Sequence, residues 1–184
     1  MTLQPFVRHA AVLATLVFSL ACAHAALKPG DAAPTFSTEA ARGGKTFSFQ
    51  LGDALKRGPV VLYFFPKAFT QGCTVEANLF AEASERFAAL GATVVGISAD
   101  NIDTLKRFSV EACRDKFAVA ADASAKVIKA YDAQSSWSAD MSDRISYVIG
   151  KDGRIAFTHH GPDPQAHVQN TLKAVEALGG PGQR

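Results

Sequence analysis

The stretch from Val60 to Glu76 constrains the fold more than any other part of the chain. Val60–Phe65 is a continuous apolar run of β-branched and aromatic residues, which predicts a buried strand. Beyond it, apolar residues recur at helical spacing and predict a helix whose buried face carries Val75, Leu79, Ala83, Phe87 and Leu90. The intervening loop ends at Cys73, so we expect this cysteine in the first turn of a helix that follows directly on a strand.

A cysteine at that position has a chemical consequence. The first backbone N–H groups of a helix have no partner within the helix and favour an anion, so they stabilise a thiolate at Cys73. Thr70 lies one turn earlier, within reach of the sulfur or of an oxygen brought to it. Pro66 fixes the backbone where the strand ends and cannot extend the sheet. The residues alone also allow a second interpretation, in which Cys73 is a buried structural cysteine.

The spacing of Pro66, Thr70 and Cys73 resembles the Pro-x-x-x-Thr-x-x-Cys loop of the peroxiredoxins. The wider string, Phe-Phe-Pro-Lys-Ala-Phe-Thr-Gln-Gly-Cys-Thr-Val-Glu, is most similar to the bacterioferritin-comigratory, or peroxiredoxin Q, branch of the alkyl hydroperoxide reductase/thiol-specific antioxidant superfamily. The resemblance extends over nearly all of the chain from Lys28 to its last helix. It implies a thioredoxin-like fold.

The resemblance also points to an arginine. Arg144 stands at the head of a predicted strand, where the family has its active-site arginine. A guanidinium beside Cys73 would favour the thiolate and bind a peroxide oxygen. From the residues alone, Arg144 could equally be an ordinary surface arginine.

The implied function is thiol-dependent reduction of hydrogen peroxide and organic hydroperoxides. The Cys73 thiolate attacks the peroxide and becomes a sulfenic acid, while Thr70, Arg144 and the N–H groups at the start of the helix hold the two oxygens. No metal or organic cofactor is implied. The expected partners are a hydroperoxide and a thioredoxin-like or small-thiol reductant, with the chain a monomer or homodimer. A formal net charge of +2 and the lack of a dense basic cluster argue against a nucleic-acid partner.

Recycling of the sulfenic acid leaves two routes open. Many members of this branch carry a resolving cysteine five residues after the first, where this chain has Asn78. Cys113 is therefore the tentative resolving residue, although relatives that resolve from this helix do so about one turn earlier. The alternatives are that an external thiol attacks Cys73 directly and that Cys113 is a small buried core residue.

The sequence of the first 25 residues is typical of a secretory signal peptide. One domain over residues 26–184 is predicted to follow it. Arg8 and His9 precede an apolar run from Ala10 to Leu20, and small residues then alternate up to Ala25. This pattern predicts a periplasmic or secreted protein without a stable membrane span, with lipid anchoring through Cys22 as a minor alternative.

The rest of the chain predicts an α/β fold with a mixed central sheet flanked by helices. Strand and helix patterns alternate as far as Tyr131, and a hairpin over Gly150–Gly153 and a final helix opened by Pro164 follow. Asp100 is the expected N-cap of the helix that runs to Cys113. His159, His160 and His167 are expected to be solvated or interfacial rather than metal ligands, and Glu76 to interact with the helix dipole.

Two rival functions fit the same fold. An exported thiol–disulfide oxidoreductase would use a Cys-x-x-Cys pair, which Cys73–Glu76 lacks. A non-catalytic binding or redox-sensing module would need only the fold and one reactive cysteine.

Overall fold

The computed structural model describes residues 26–138 and 140–179, so the predicted signal peptide over residues 1–25 lies outside the described residues. The elements in chain order are β1 Ser37–Arg42, β2 Lys45–Gln50, α1 Leu51–Arg57, β3 Val60–Phe64, α2 Gln71–Ala89, β4 Thr93–Ser98, α3 Ile102–Glu111, β5 Ala118–Ala121, α4 Lys126–Ala130, β6 Ile145–Ile149, β7 Ile155–His160 and α5 Pro164–Ala177.

The described strands form one seven-stranded mixed sheet in the order β2-β1-β5-β4-β3-β6-β7. The central strands β3, β4 and β5 run parallel, because α2 and α3 carry the chain back across one face of the sheet between them. The outer strands pair antiparallel on both sides. The predicted α/β architecture with a mixed sheet is therefore confirmed.

Apolar side chains fill both faces of the sheet. Helices α1 and α4 pack on one face through Leu51, Leu55 and Ile128. Helices α2, α3 and α5 pack on the other, and their core includes Cys73 and Cys113. Strand β3 is buried along its whole length because helices cover it on both sides, as its continuous apolar sequence predicts.

Helix α2 turns a different face to the sheet from the one expected. Its buried residues are Cys73, Glu76, Ala77, Phe80, Ala81 and Phe87, whereas Val75 is 44% exposed. The prediction placed Val75 inside because it followed the spacing of the apolar residues alone. Glu76 is instead fully buried, and it brings Ala77 and Phe80 inward with it.

Two further local predictions differ from the structure. Strand β1 was not predicted, because its sequence Ser-Thr-Glu-Ala-Ala-Arg lacks the apolar alternation of a strand. The N-cap of α3 is Asn101, whose side chain accepts from the backbone N–H of Thr104, and not Asp100. Asp100 accepts hydrogen bonds from the backbone N–H of Ala68 and the hydroxyl of Ser98 instead.

Candidate active site

Cys73 is the third residue of α2 and lies where β3 passes into that helix. Thr70 is the N-cap, and the helix ladder begins with the bond from the N–H of Thr74 to the carbonyl of Thr70. The N–H groups of Gln71, Gly72 and Cys73 come before this bond and have no partner within the helix. The thiol is only 2% exposed, so these dipoles act on it with little screening by water.

The loop before α2 is held in place from two directions. Asp100, just beyond the end of β4, accepts the N–H of Ala68 at 2.8 Å. Phe69 adopts a left-handed backbone, with φ of 64°, and its ring packs edge-on against Phe108 while the guanidinium of Arg107 lies over it. A non-glycine residue in this conformation is unfavourable and persists only where its surroundings hold it. These contacts fix the N-cap, and with it the start of α2.

The sheet register brings Arg144 to Cys73. Ile145 pairs with Phe64, so Arg144 lies level with the residue that follows β3, at the edge where α2 begins. Residues alternate between the faces of a strand, and Arg144 therefore shares with Ser146 the face that α2 and α5 cover. Its Nη2 lies 3.4 Å from the Cys73 Sγ, and its Nη1 donates to Oε2 of Glu76. The guanidinium is thus fixed between the sulfur and a buried carboxyl group.

Gly72 allows this approach. A Cβ atom at this position would lie 3.1 Å from Nη2 of Arg144, which is closer than ordinary side-chain packing permits. An alanine here would therefore require the guanidinium to move by a few tenths of an ångström from the position in which Glu76 and Cys73 hold it.

Glu76 is a site residue that our sequence analysis misassigned. It is fully buried one turn after Cys73, on the same face of α2, and it pairs with Arg144 rather than with the helix dipole. Burial raises the pKa of its carboxyl group to about 8, against the opposing effect of Arg144. The three-residue spacing from Cys73 was a usable signal, because residues at i and i+3 share a helix face.

The hydroxyl of Thr70 donates to the carbonyl of Lys67 at 2.9 Å. A hydroxyl has a single hydrogen, so towards any further group Thr70 can only accept a hydrogen bond. Pro66 lies two residues beyond the end of β3, in the loop that leads to α2. Pro66, Thr70, Cys73 and Arg144 therefore all belong to the start of α2 and the strand ends around it.

Cys113 lies away from this site. Helices α2 and α3 begin at the same edge of the sheet, and Cys113 follows the end of α3, whose ten residues span roughly 15 Å. Arg114 beside it pairs with Glu82, which belongs to the fourth turn of α2. Cys113 is fully buried, burial raises the pKa of its thiol, and both it and Cys73 are free thiols. A disulfide needs Cα atoms within roughly 7 Å, so we expect a bond between them to require movement of the chain around one of the two cysteines.

His167 is not solvated, contrary to our expectation. It is fully buried on α5, with Nδ1 2.8 Å from the Ser146 hydroxyl and Nε2 2.8 Å from the carbonyl oxygen of Gly161. The side chain of His160 is 57% exposed and lies 3.6 Å from Asp143. Among residues 26–138 and 140–179, no group of three or more His, Cys, Asp or Glu side chains could hold a metal ion, and no helix is long and apolar enough to cross a membrane.

Comparisons with known proteins identify the family of the chain. Residues 29–158 match the AhpC/TSA family model. The chain is 32% identical to the chloroplastic peroxiredoxin Q of Populus jackii over 84% of its own length and 70% of that protein's. It is 33% identical to the chloroplastic peroxiredoxin Q of Triticum aestivum over 81% and 67%.

A solved structure shows the same architecture. Peroxidoxin BcpB from Mycobacterium tuberculosis superposes with a TM-score of 0.74 at 28% identity, covering 83% of this chain and 98% of that one. The expected thioredoxin-like fold is therefore confirmed.

The comparisons contradict the localisation predicted from the apolar N-terminal run. The curated relatives named above, and that of Sedum lineare, are chloroplastic enzymes. The prediction of a periplasmic or secreted protein, with lipid anchoring through Cys22 as its alternative, is therefore wrong. It relied on an apolar segment with Arg8 and His9 before it and small residues after it.

Proposed function

The chain belongs to the AhpC/TSA family and is a thiol-dependent peroxidase, and on this basis we propose that Cys73 is the residue that attacks the hydroperoxide. The observation that carries the proposal is the fixed guanidinium of Arg144, 3.4 Å from the Cys73 Sγ at the start of α2. A positive charge and a set of unpaired helix N–H groups meet at one sulfur, and each of them favours the thiolate.

The reaction needs only the thiolate and the peroxide. The sulfur attacks the terminal oxygen of the hydroperoxide along the O–O bond, so that an S–O bond forms as the O–O bond breaks. Cys73 is oxidised to a sulfenic acid, and the peroxide is reduced to a hydroxide or alkoxide that takes a proton from water. Family membership supports both hydrogen peroxide and organic hydroperoxides as substrates.

The surrounding groups divide the work of stabilising the transition state. Arg144 and the N–H groups of Gly72 and Cys73 donate to the oxygens, where negative charge develops as the O–O bond breaks. Thr70 is an acceptor rather than a donor towards the peroxide. Its hydroxyl hydrogen is donated to the carbonyl of Lys67, so its oxygen accepts the hydrogen of the incoming O–OH group. Pro66 holds the loop that presents these atoms.

The direct test of this role is hydrogen peroxide consumption with dithiothreitol as the reductant. We expect Cys73→Ser to lose turnover, because a hydroxyl at this position is not ionised and cannot accept the oxygen. Cys113→Ser is the matched control, which removes one thiol from the same core and is expected to keep turnover. Turnover that survived in Cys73→Ser would disprove the proposal.

We propose that an external thiol, supplied by a thioredoxin-type protein or a small thiol, reduces the sulfenic acid of Cys73. The separation of Cys113 from the start of α2 and its full burial support this route. The resolving role of Cys113 stays a prediction with a distinct outcome. After one equivalent of peroxide without reductant, mass spectrometry would detect a Cys73–Cys113 disulfide if Cys113 resolves, and a persistent sulfenic acid if it does not.

The rival functions have separate outcomes. A thiol–disulfide oxidoreductase would reduce insulin disulfides without consuming peroxide, and a binding or sensing module would do neither. The expected assembly is a monomer or a homodimer, which sedimentation of the reduced protein distinguishes.

A further inference from the structure

A second buried polar cluster lies behind Arg144, on the side away from Cys73. It consists of the Oε1 atom of Glu76, the imidazole of His167 and the hydroxyl of Ser146, and all three residues are fully buried. The Nδ1 atom of His167 lies 2.8 Å from the Ser146 Oγ and 3.9 Å from the Glu76 Oε1. The peroxidase mechanism described above uses none of these atoms.

The tautomer of His167 follows from its partners. Nε2 faces the carbonyl oxygen of Gly161, which can only accept, so Nε2 carries a hydrogen. Burial lowers the pKa of His167 to about 4, so the ring is neutral at pH 7 and its Nδ1 has a free lone pair. That lone pair accepts the hydrogen of Ser146 and is directed at the same space as Glu76.

The Oε1 atom of Glu76 is buried without a hydrogen-bond partner among the described residues. If Glu76 were ionised, this oxygen would carry negative charge opposite the lone pair of Nδ1, without a hydrogen bond to compensate it. At 3.9 Å the two atoms are too far apart to be hydrogen-bonded, so the contact acts through charge. A proton on Oε1 removes the negative charge that would face the lone pair, and the neutral form of Glu76 is therefore favoured.

The charges around the cluster act in both directions. Arg144 favours the ionised form of Glu76, whereas burial favours the protonated form, and so does a thiolate at Cys73. From β3, Tyr63 adds no charge, because burial raises its pKa well above the usual value. From β7, His159 and His160 disfavour a proton on His167, so a proton held by the cluster resides on Glu76.

We propose that His167 is a positioning residue of the peroxidase reaction. Its Nδ1 keeps a proton on Oε1 of Glu76, so that Glu76 does not neutralise the positive charge of Arg144 beside Cys73. This inference rests on the proposed role of Cys73. The carbonyl oxygen of a protonated Glu76 still accepts from Nη1 and fixes the guanidinium, but it does not cancel its charge. Loss of the proton to water at higher pH draws the charge of Arg144 away from the thiolate.

The cluster can be tested by titrating Glu76 directly. The side-chain carboxyl carbon of glutamate is labelled with carbon-13, and the signal of Glu76 is assigned by its loss in Glu76→Gln. We expect Glu76 to titrate near pH 8 in the wild type. His167→Gln keeps a donor for Gly161 but removes the lone pair at the Nδ1 position, so the titration should move to lower pH by up to about one unit, because that lone pair no longer opposes the ionised carboxyl group.

Ser146→Ala should move the titration the opposite way, because it removes the donor that competes for the Nδ1 lone pair. Thr171→Val is the control, since this buried hydroxyl on the same helix bonds only to the carbonyls of His167 and Val168. If His167 and Ser146 acted only through packing, His167→Gln and Ser146→Ala would shift the melting temperature and leave the Glu76 titration unchanged. A wild-type Glu76 already ionised at pH 6, or shifts of the same sign in His167→Gln and Ser146→Ala, would overturn the proposal.

The second readout is the rate at which hydrogen peroxide oxidises Cys73, followed by mass spectrometry of the Cys73 peptide from pH 6 to pH 9. We expect this rate to fall as Glu76 ionises, with the midpoint moved down in His167→Gln and up in Ser146→Ala. A rate that does not follow the Glu76 titration contradicts the link to Arg144. A Cys73 that peroxide does not oxidise at any pH disproves the proposed function instead, whatever Glu76 does.

Discussion

At the scale of single residues, the site depends on the lack of a side chain at Gly72. Gly72 has no Cβ, and a Cβ there would meet Nη2 of Arg144 at 3.1 Å. The guanidinium therefore takes its present position beside Cys73 because this residue is glycine. Its other side is fixed by Glu76, so the position of the charge is set by two neighbours on the same turn of α2.

Gly72→Ala should separate activity from stability. Alanine is the better helix former by up to about 1 kcal/mol, which offsets part of the cost of moving the guanidinium, so the melting temperature should change little. The added methyl group displaces the guanidinium, so the rate of Cys73 oxidation by peroxide should fall by about tenfold or more. Gly52→Ala, in α1 with nothing within 4 Å of its Cβ position, is the matched control and should keep the rate. Equal rates in Gly72→Ala and the wild type would show that the close approach of Arg144 is dispensable.

At the scale of elements, the loop between β3 and α2 decides how the thiol is presented. It is bound to the end of β4 by Asp100 and packed against α3 through Phe69 and Phe108. The strained backbone of Phe69 persists because these contacts hold it. The start of α2 is thus attached to both neighbouring elements.

Asp100→Ala should loosen this loop. The N–H of Ala68 and the hydroxyl of Ser98 lose their acceptor, and we expect a loss of about 1–3 kcal/mol in the free energy of unfolding. Peroxide turnover should fall as well, because the donors at the start of α2 are no longer fixed. Asp103→Ala removes a carboxylate that is 88% exposed from the adjacent helix and should change neither quantity by much. A loss of turnover in both variants would point to net charge as the cause.

Much of the element order could be predicted from the sequence, whereas burial of polar residues could not. The strand β3, the cysteine at the start of α2 and the hairpin of β6 and β7 follow from apolar runs and turn residues that are local in the chain. The burial of Glu76 and His167 was not predicted, because each is buried with partners that are distant in sequence. Arg144 lies 68 positions from Glu76, and Ser146 lies 21 from His167. Local patterns carry no information about such pairs.

At the scale of the whole molecule, two buried groups give stability opposite dependences on pH. Glu76 has its pKa raised from 4.5 to about 8 in the folded protein, so its contribution is full below pH 4.5 and is lost as pH rises towards 8. His167 has its pKa lowered from 6.5 to about 4, so its contribution is full above pH 6.5 and is lost as pH falls towards 4. Between about pH 4.5 and 6.5 these two effects on stability oppose each other. Of these two groups, only Glu76 still changes the stability with pH above 6.5.

Urea unfolding between pH 6.5 and pH 8 should therefore show the wild type losing stability relative to Glu76→Gln. The expected slope of the difference is up to about 1.4 kcal/mol per pH unit, the value for one proton. The glutamine side chain of the variant cannot ionise, so every other titrating group cancels in the comparison. Parallel curves for the two proteins would mean that Glu76 does not keep a raised pKa in the folded state.

The most direct test of the account is the rate at which one equivalent of hydrogen peroxide oxidises each cysteine of the reduced protein at pH 7, in the wild type and in Arg144→Gln. We predict that Cys73 is oxidised to the sulfenic acid while Cys113 stays reduced, and that Arg144→Gln slows the oxidation of Cys73 by about 100-fold. Oxidation of Cys113 ahead of Cys73, or an unchanged rate at Cys73 in Arg144→Gln, would contradict the account.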